Sequence, residues 1–231
     1  MNAVPDDWPD CPHCGAMRFY PSGRCMQGER CSQQSAAEPL QICKAMSGPT
    51  HDPGGKSKPR WPAGSVVTAQ FHGPGDCYRT ELAEIWDSSR RPVMFLMMNP
   101  SVAGIEHADP TLIRTGNYAR KWRFGGQLVG NIYDYRITDS KLLAGIREPC
   151  SDVNDGAIFR MAEHAMFVVL AYGLLPKPLR AQADRIVSRL AERRIDLRYL
   201  ALTKDGTPRH PLYLPGDLHP LLWSARHRLG G

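Results

Sequence analysis

The chain has no apolar run long enough to cross a membrane. Apart from the strand-length segment 93–98, its longest apolar stretch is residues 165–175, which a Tyr-Gly pair interrupts, whereas a membrane helix needs about 20 apolar residues. The first ten residues carry three aspartates and lack the basic-then-apolar pattern of a secretory signal. We therefore expect a cytoplasmic protein with no membrane contact.

Several motifs of cofactor chemistry are also missing. The sequence has no G-x-G-x-x-G after a strand, no G-x-x-x-x-G-K-[ST] and no G-x-S-x-G. These absences disfavour dinucleotide cofactors, P-loop phosphate binding and a serine nucleophile on an α/β-hydrolase elbow. We expect catalysis, if there is any, to need no cofactor.

The charge balance is modestly basic. With 29 lysines and arginines against 23 acidic residues, the formal net charge is +6. A polyanion such as DNA is the simplest partner for such an excess, although a solvated basic surface accounts for it equally well. We do not expect an obligate protein partner.

Five of the seven cysteines lie in the first 45 residues, where large aliphatic residues are few. Four of them, spaced C-x2-C-x10-C-x5-C, are Cys11, Cys14, Cys25 and Cys31. This spacing suits tetrahedral zinc, and four thiolates leave no position for water, so the metal would be structural. We predict a zinc-binding module at residues 1–46, with Cys43 as a substitute for Cys31 and His13 as a weaker candidate. The alternative is a disordered cysteine-rich tail.

Residues 47–64 are rich in glycine and proline and predict a linker, so that residues 65–231 form the main domain. Apolar segments of strand length predict strands at 93–98, 128–133, 166–171 and 197–202, with a short edge strand at 66–71. Periodicity and capping residues, among them Asp109 and Asp139, predict helices at 110–122, 140–144 and 154–164 and from about residue 178. Residues 78–86 fit either a helix or a strand. The alternation predicts an α/β fold with a four-stranded parallel sheet and helices on both faces.

Polar residues follow the predicted strands. Residues 93–98 are apolar on both faces and so belong in the middle of a covered sheet. Ligands of such sheets sit beyond the carboxyl ends of the strands, which is where Asn99, Asn131, Arg136, Tyr172 and His210 fall. We expect these five side chains to gather at one edge.

Each of these residues also has a purely structural interpretation. Asn99 can cap a turn, and His210 can be a surface residue. Asp109, which precedes Pro110, is better explained as a helix cap than as a general base. Arg136 can pair with an acid and carry only structure. Asn131 in an apolar strand is harder to explain in this way, because a buried amide needs partners.

The order of the motifs resembles an uncharacterised bacterial and phage domain family. The motifs that carry the resemblance are Asn99-Pro100-Ser101, Asp109-Pro110-Thr111, Asn131-Ile-Tyr-Asp-Tyr-Arg136, Tyr172-Gly173 and Gly206-Thr-Pro-Arg-His210-Pro-Leu-Tyr213. They span about residues 70 to 215. More remotely, the layout is similar to the uracil-DNA glycosylase superfamily, in which a first motif follows the first of four parallel strands and a His-Pro motif follows the last.

The remote resemblance implies roles for individual residues. It implies that Asn99 positions the attacking water, that His210 stabilises the leaving base, and that Asn131 reads the base. The further substrate-binding candidates are Pro100, Ser101, Asp109, Tyr133, Arg136, Tyr172, Arg209 and Tyr213. Met98, Ser101 and Leu212 differ from the superfamily motifs, so uracil is not the expected substrate.

The sequence thus favours a monofunctional DNA glycosylase that excises a modified or non-standard base and leaves an abasic site. A hypermodified pyrimidine of phage DNA is one such base, and its removal would serve anti-phage defence. Two alternatives stay open: a non-catalytic zinc-containing nucleic-acid-binding module, and a hydrolase of modified free nucleotides.

Overall fold

The computed structural model describes residues 58–224, which belong to the larger of the two units into which the chain divides, Pro49–Gly231. The predicted zinc ligands Cys11, Cys14, Cys25 and Cys31, the substitute Cys43 and residues 47–57 of the predicted linker lie outside this part. Within residues 58–224, no group of three or more potential ligands could hold a metal ion. No helix in this part is long and apolar enough to span a membrane.

The architecture of the described part is α/β, as predicted, but its sheet is mixed and has seven strands. The strands are β1 Val66–His72, β2 Tyr78–Ile85, β3 Val93–Met97, β4 Gly126–Asn131, β5 Val168–Leu170, β6 Leu197–Tyr199 and β7 Leu221–Leu222. Their order is β1-β2-β4-β3-β5-β6-β7. The pairs β4–β3, β3–β5 and β5–β6 are parallel, whereas β1–β2, β2–β4 and β6–β7 are antiparallel.

The expected sheet of four parallel strands therefore accounts for only the middle of the observed one. Strand β1 is at the edge, as predicted, and β2 joins it to β4. The strand type of β2 is hard to see in the sequence because Arg79, Glu81 and Glu84 are buried there among apolar residues. Strand β7 consists of two exposed leucines, a pattern that carries no burial signal.

Within residues 58–224, three α-helices accompany the strands: α1 Pro110–Lys121, α2 Asn154–His164 and α3 Arg180–Glu192. Asp109 caps α1, with its carboxylate accepting from the Leu112 amide at 2.9 Å, and Asp139 caps a 3₁₀ turn at Ser140–Gly145. Both caps were predicted. No side chain of the described residues caps α2; Asn154 instead donates to the carbonyls of Asn131 and Ile132 at 3.0 and 3.2 Å. This helix start is therefore tied to the end of β4.

Two cores cover the two faces of the sheet. Met94 and Leu96 of β3 pack with α2 and α3, and Val93, Phe95 and Met97 pack with α1. All five residues of β3 are buried. The prediction that this strand lies inside a sheet with helices on both faces is confirmed.

Part of the predicted linker contacts the main domain. The indole of Trp61 donates to the carbonyl of Gly104 at 3.0 Å, and the Ala108 amide donates to the Pro59 carbonyl at 2.9 Å. These contacts hold the loop between β3 and α1.

Candidate functional site

The carboxyl ends of the parallel strands bring several predicted site residues to one edge of the sheet. Gly173 follows β5, and its amide donates to the Pro208 carbonyl at 3.0 Å. A Cβ on Gly173 would stand 3.2 Å from the Cβ of His210, and its φ is +69°. Only glycine fits this position without strain. The segment after β6 therefore lies over the end of β5 and carries His210 with it.

Asn99 lies directly beyond β3 with its amide in a fixed orientation. Its Nδ2 donates to the Ile137 carbonyl at 2.7 Å and to the Pro100 carbonyl at 3.0 Å. Because both partners are acceptors, the amide nitrogen must face them. Within residues 58–224, Oδ1 accepts no hydrogen bond. The half-exposed Asn99 side chain thus offers a held acceptor that can orient a water molecule.

The hydrogen bond of the His210 ring determines its tautomer. It caps a 3₁₀ turn at Pro211–Tyr213, with Nδ1 3.4 Å from the Leu212 amide. A backbone N–H can only donate, so Nδ1 is unprotonated and the neutral ring carries its proton on Nε2. Burial lowers the pKa of His210, and the nearby Asp109 carboxylate opposes this shift. At neutral pH the residue therefore offers an N–H donor.

Asp109 acts as a helix cap and also contributes charge to the site. One carboxylate oxygen accepts from the Leu112 amide. Burial lowers the pKa of both Arg79 and His210, and the negative charge of Asp109 partly opposes that lowering in each. The carboxylate at the start of α1 therefore lies near both groups.

Arg79 and Asn131 form a buried polar pair that the sequence analysis did not predict. Arg79 donates from Nη1 to the Ala103 carbonyl at 3.0 Å and from Nη2 to Oδ1 of Asn131 at 3.3 Å. Its Nε and the Nδ2 of Asn131 are buried without a partner in the described part of the chain. Burial lowers the pKa of Arg79 to about 10, against the effect of Asp109. Two donors are thus left unpaired beside the end of β4.

Comparison with known families assigns the chain to one of them. Residues 79–212, more than half of the chain, match the DUF1643 family, which is described as a protein of unknown function. The chain belongs to this family. The matched region begins at Arg79 and includes both Asn99 and His210. No curated protein and no solved structure matches the chain.

Four other predicted residues of the DUF1643 domain take structural positions. Tyr133 and Tyr172 are buried in the core beneath α2 and α3, and the Tyr133 hydroxyl donates to the Leu179 carbonyl at 2.9 Å. Burial raises the pKa of Tyr133 to about 12. Pro100 is buried and supplies an acceptor to Asn99. The Ser101 hydroxyl contacts Oγ1 of Thr138 at 3.4 Å.

Arg136 borders the site through its own contacts. Its Nη1 donates to the Asp76 carbonyl at 2.8 Å, and its guanidinium lies 4.8 Å from the Phe71 ring centroid. Burial lowers the pKa of Arg136, and Asp76 opposes that shift. Its Nε is a further buried donor without a partner among residues 58–224.

The rim of the DUF1643 domain beside His210 is exposed. Tyr213 is 81% exposed, with its ring centroid 6.3 Å from that of His210. Arg209 is exposed, and Leu174, next to Gly173, is 61% exposed. An exposed aromatic ring therefore lies beside the histidine, and an exposed cation and an exposed apolar side chain stand next to His210 and Gly173 in the chain.

A second polar cluster lies beyond β4. Asp134 is fully buried and accepts hydrogen bonds from the amide and hydroxyl of Ser151. Nε2 of His72 lies 3.5 Å from Asp134 Oδ2 and 3.4 Å from the Ser151 hydroxyl. A serine nucleophile would need the acid and the serine on opposite ring nitrogens. This cluster is therefore a structural network of the DUF1643 domain.

Proposed function

We propose that this DUF1643 protein is a DNA glycosylase that hydrolyses the N-glycosidic bond of a modified or non-standard base and leaves an abasic site. One observation carries the proposal. At one edge of the sheet, Asn99 offers a fixed acceptor and His210 offers a fixed neutral donor. These are the two groups that the hydrolysis needs.

The reaction requires little nucleophilic power. As the bond between C1′ and the base nitrogen lengthens, positive charge develops on the sugar and negative charge on the base, so stabilising that base lowers the barrier. In the proposed reaction, Nε2–H of His210 donates to the departing base, and Oδ1 of Asn99 orients the water. The water oxygen bonds to C1′, the base leaves with the electron pair, and the water proton passes through solvent to the base.

The arrangement of the strands supports this assignment. Four adjacent parallel strands form the middle of the sheet. Asn99 follows the first of them along the chain, and His210 follows the last. This order is similar to the layout of the uracil-DNA glycosylase superfamily, which motivates carrying the two roles over to these positions.

The exposed rim supports a DNA substrate. A base in a duplex must leave the stack before its glycosidic bond can be reached. The exposed Tyr213 ring can stack on a neighbouring base, and the half-exposed Leu212 can enter the gap. Arg209 can contact a phosphate.

The base-reading donors favour a substrate with acceptor atoms. Because Arg79 already donates to Oδ1 of Asn131, the Nδ2 donor is the group of this amide that has no partner in the described part of the chain. Together with Met98, Ser101 and Leu212 in place of the superfamily's usual residues, this favours a base other than uracil. We propose a modified pyrimidine of phage DNA, with defence as the biological role.

The proposal also covers the cysteine-rich segment and the location of the protein. Cys11, Cys14, Cys25 and Cys31 would hold one structural zinc ion in a module that helps to bind DNA in the cytoplasm. Metal analysis of the purified full chain should give one zinc per chain. Cys11→Ser should lose the metal, while the melting of the α/β domain should stay unchanged.

The test of the activity is direct. The purified full chain is incubated with a panel of DNAs that includes modified phage genomes, and mass spectrometry then identifies any free base. Alkali treatment of the same DNA detects the abasic sites. A released base with matching alkali-sensitive sites supports a glycosylase. DNA binding without any release across the panel rejects it in favour of a binding module.

A further inference from the structure

A cavity of about 230 Å³ lies between α1 and the segment that follows Tyr213. The residues that line it are Arg114, Asn117, Tyr118, Arg120, Lys121 and Gly216. Three of the six are basic and none is acidic. The cavity lies along α1 rather than at the strand ends, and neither Asn99 nor His210 lines it.

Two of its cations converge on one point. A Cβ built on Gly216 would stand 3.2 Å from Nη1 of Arg114 and 3.7 Å from Nζ of Lys121. In the described part of the chain, neither cation forms an ion pair with a carboxylate. Like charges brought this close repel each other, and an anion between them would relieve the repulsion.

The cavity walls still have unused hydrogen-bond donors. Arg114 donates to the Leu214 carbonyl and interacts with the Tyr118 hydroxyl, and Lys121 donates to the Gly216 carbonyl at 2.8 Å. These bonds hold the segment against α1 but use a minority of the available N–H groups. Nε of Arg114 is buried without a partner among residues 58–224. Holding the segment therefore does not account for the whole arrangement.

Two further polar residues of the lining differ in their roles. Arg120 is committed to the buried Glu84, at 2.7 Å. The exposed Asn117 takes part in no hydrogen bond of its side chain with the described residues. Its amide is free to donate to a ligand in the cavity.

We propose that this cavity is a binding site for a phosphate group. A guanidinium that can donate two N–H bonds, an ammonium and an amide form a donor set suited to a tetrahedral oxyanion. Because Gly216 has no side chain, the anion has room between the two cations.

The position of the cavity points to a phosphate of the DNA backbone. Helix α1 begins at the strand-end edge beside Asp109, and at about 1.5 Å per residue Arg114 and Lys121 lie roughly 8 and 18 Å along its axis. Phosphates of one strand follow each other at about 3.4 Å along a duplex. The cavity would thus hold a phosphate a few nucleotides from the flipped base. The claim that the phosphate belongs to DNA rests on the proposed function, whereas the claim that the cavity binds a phosphate group does not.

The decisive variant is Asn117→Asp, which puts a negative charge in the cavity and leaves the hydrogen bonds of Arg114 and Lys121 in place. Lys121→Gln is the second variant, because its amide can still donate to the Gly216 carbonyl. Ala191→Asp is the matched control, since Ala191 is exposed in the last turn of α3 on the other face of the sheet. Circular dichroism establishes that all three remain folded.

Binding is measured with the full-length chain in two ways. Fluorescence anisotropy with a duplex oligonucleotide gives DNA affinity against salt concentration, and calorimetry gives the affinity for inorganic phosphate. We expect Asn117→Asp to weaken DNA binding about tenfold and to reduce the slope of log K against log salt by about 1. Lys121→Gln should change both in the same direction, and Ala191→Asp should match the wild type.

The outcomes separate the two claims. Weaker phosphate binding with unchanged DNA binding would support the phosphate site and reject DNA as its source. Weaker DNA binding in a protein that releases no base would support the site while the proposed glycosylase fails. Wild-type affinity of Asn117→Asp for both probes would overturn the inference.

Discussion

Nη2 of Arg79 donates to Oδ1 of Asn131 over 3.3 Å, and both side chains are buried. The contact fixes the amide of Asn131 with Nδ2 as its remaining donor. A buried arginine without a carboxylate in contact is costly, and a hydrophobic residue of similar volume is often neutral or stabilising at such a position. Under the proposed function, we therefore expect this pair to contribute to base recognition more than to stability.

Arg79→Met tests this interpretation. We expect the free energy of unfolding, measured by urea denaturation, to change by less than about 2 kcal/mol, because relief of the buried charge offsets the lost hydrogen bonds. Base release should fall at least roughly 100-fold, which corresponds to about 2.7 kcal/mol of barrier. Retention of wild-type release would exclude a role of Arg79 in the site.

Arg160→Met is the matched control for that experiment. Arg160 pairs with the buried Glu81 at 2.8 Å, on the face of the sheet that carries α2. Removing it should destabilise the domain by about 1–3 kcal/mol and leave base release unchanged. Arg79→Met should thus lose base release with little change in stability, whereas Arg160→Met should lose stability with unchanged base release.

The core of the fold was predictable because burial leaves a pattern in the sequence. Residues 93–98 are apolar throughout, so β3 and the edge beyond it could be located. Asp109 and Asp139 could be assigned as caps, since such caps depend only on near neighbours. The strand type of β2 could not be predicted, because its buried charges are satisfied by residues distant in sequence, such as Arg120 for Glu84.

The candidate site was predictable only where it follows strands. Asn99 and His210 stand at positions that the strand ends indicate. Arg79 lies inside β2, where a single arginine carries no signal until its contacts with Ala103 and Asn131 are known. Tyr133 follows a strand as well, but its hydroxyl is turned into the core toward Leu179. That a residue follows a strand does not determine whether its side chain points to the site or into the core.

Gly116 in the middle of α1 is needed for close packing. A Cβ there would stand 2.9 Å from both Nη1 of Arg120 and Nε2 of Gln127, and 3.0 Å from Oε2 of Glu84. Gly116→Ala should therefore disturb this buried network and lower the free energy of unfolding by about 1–3 kcal/mol.

Gly156→Ala provides the comparison for that experiment. Gly156 is exposed in α2, and its Cβ would meet only the flexible end of Arg160, at 3.3 Å. This change should raise the free energy of unfolding by about 0.5–1 kcal/mol. If Gly116→Ala were equally stabilising in urea denaturation, the described packing of α1 would be wrong.

The change in the free energy of unfolding with pH should depend on His210. Because its pKa is lowered in the folded protein, the unfolded chain takes up this proton first as the pH falls. Well above pH 6.5 the His210 ring is neutral in both states, so its burial costs no stability through protonation. As the pH drops through about 6.5, the unfolded chain binds the proton and the free energy of unfolding decreases. Urea denaturation between pH 8 and 5 should show a smaller decrease in His210→Asn than in the wild type. An equal decrease in both would contradict the assigned environment.

The most direct test of the account compares His210→Asn with the wild type in single-turnover base release, on a DNA substrate that the wild type cleaves. Asparagine can still cap the turn at Pro211, but it removes the Nε2–H donor. The account predicts equal DNA affinity and a loss of release of at least roughly 100-fold, with partial recovery in His210→Gln. Equal rates for the wild type and His210→Asn would contradict it.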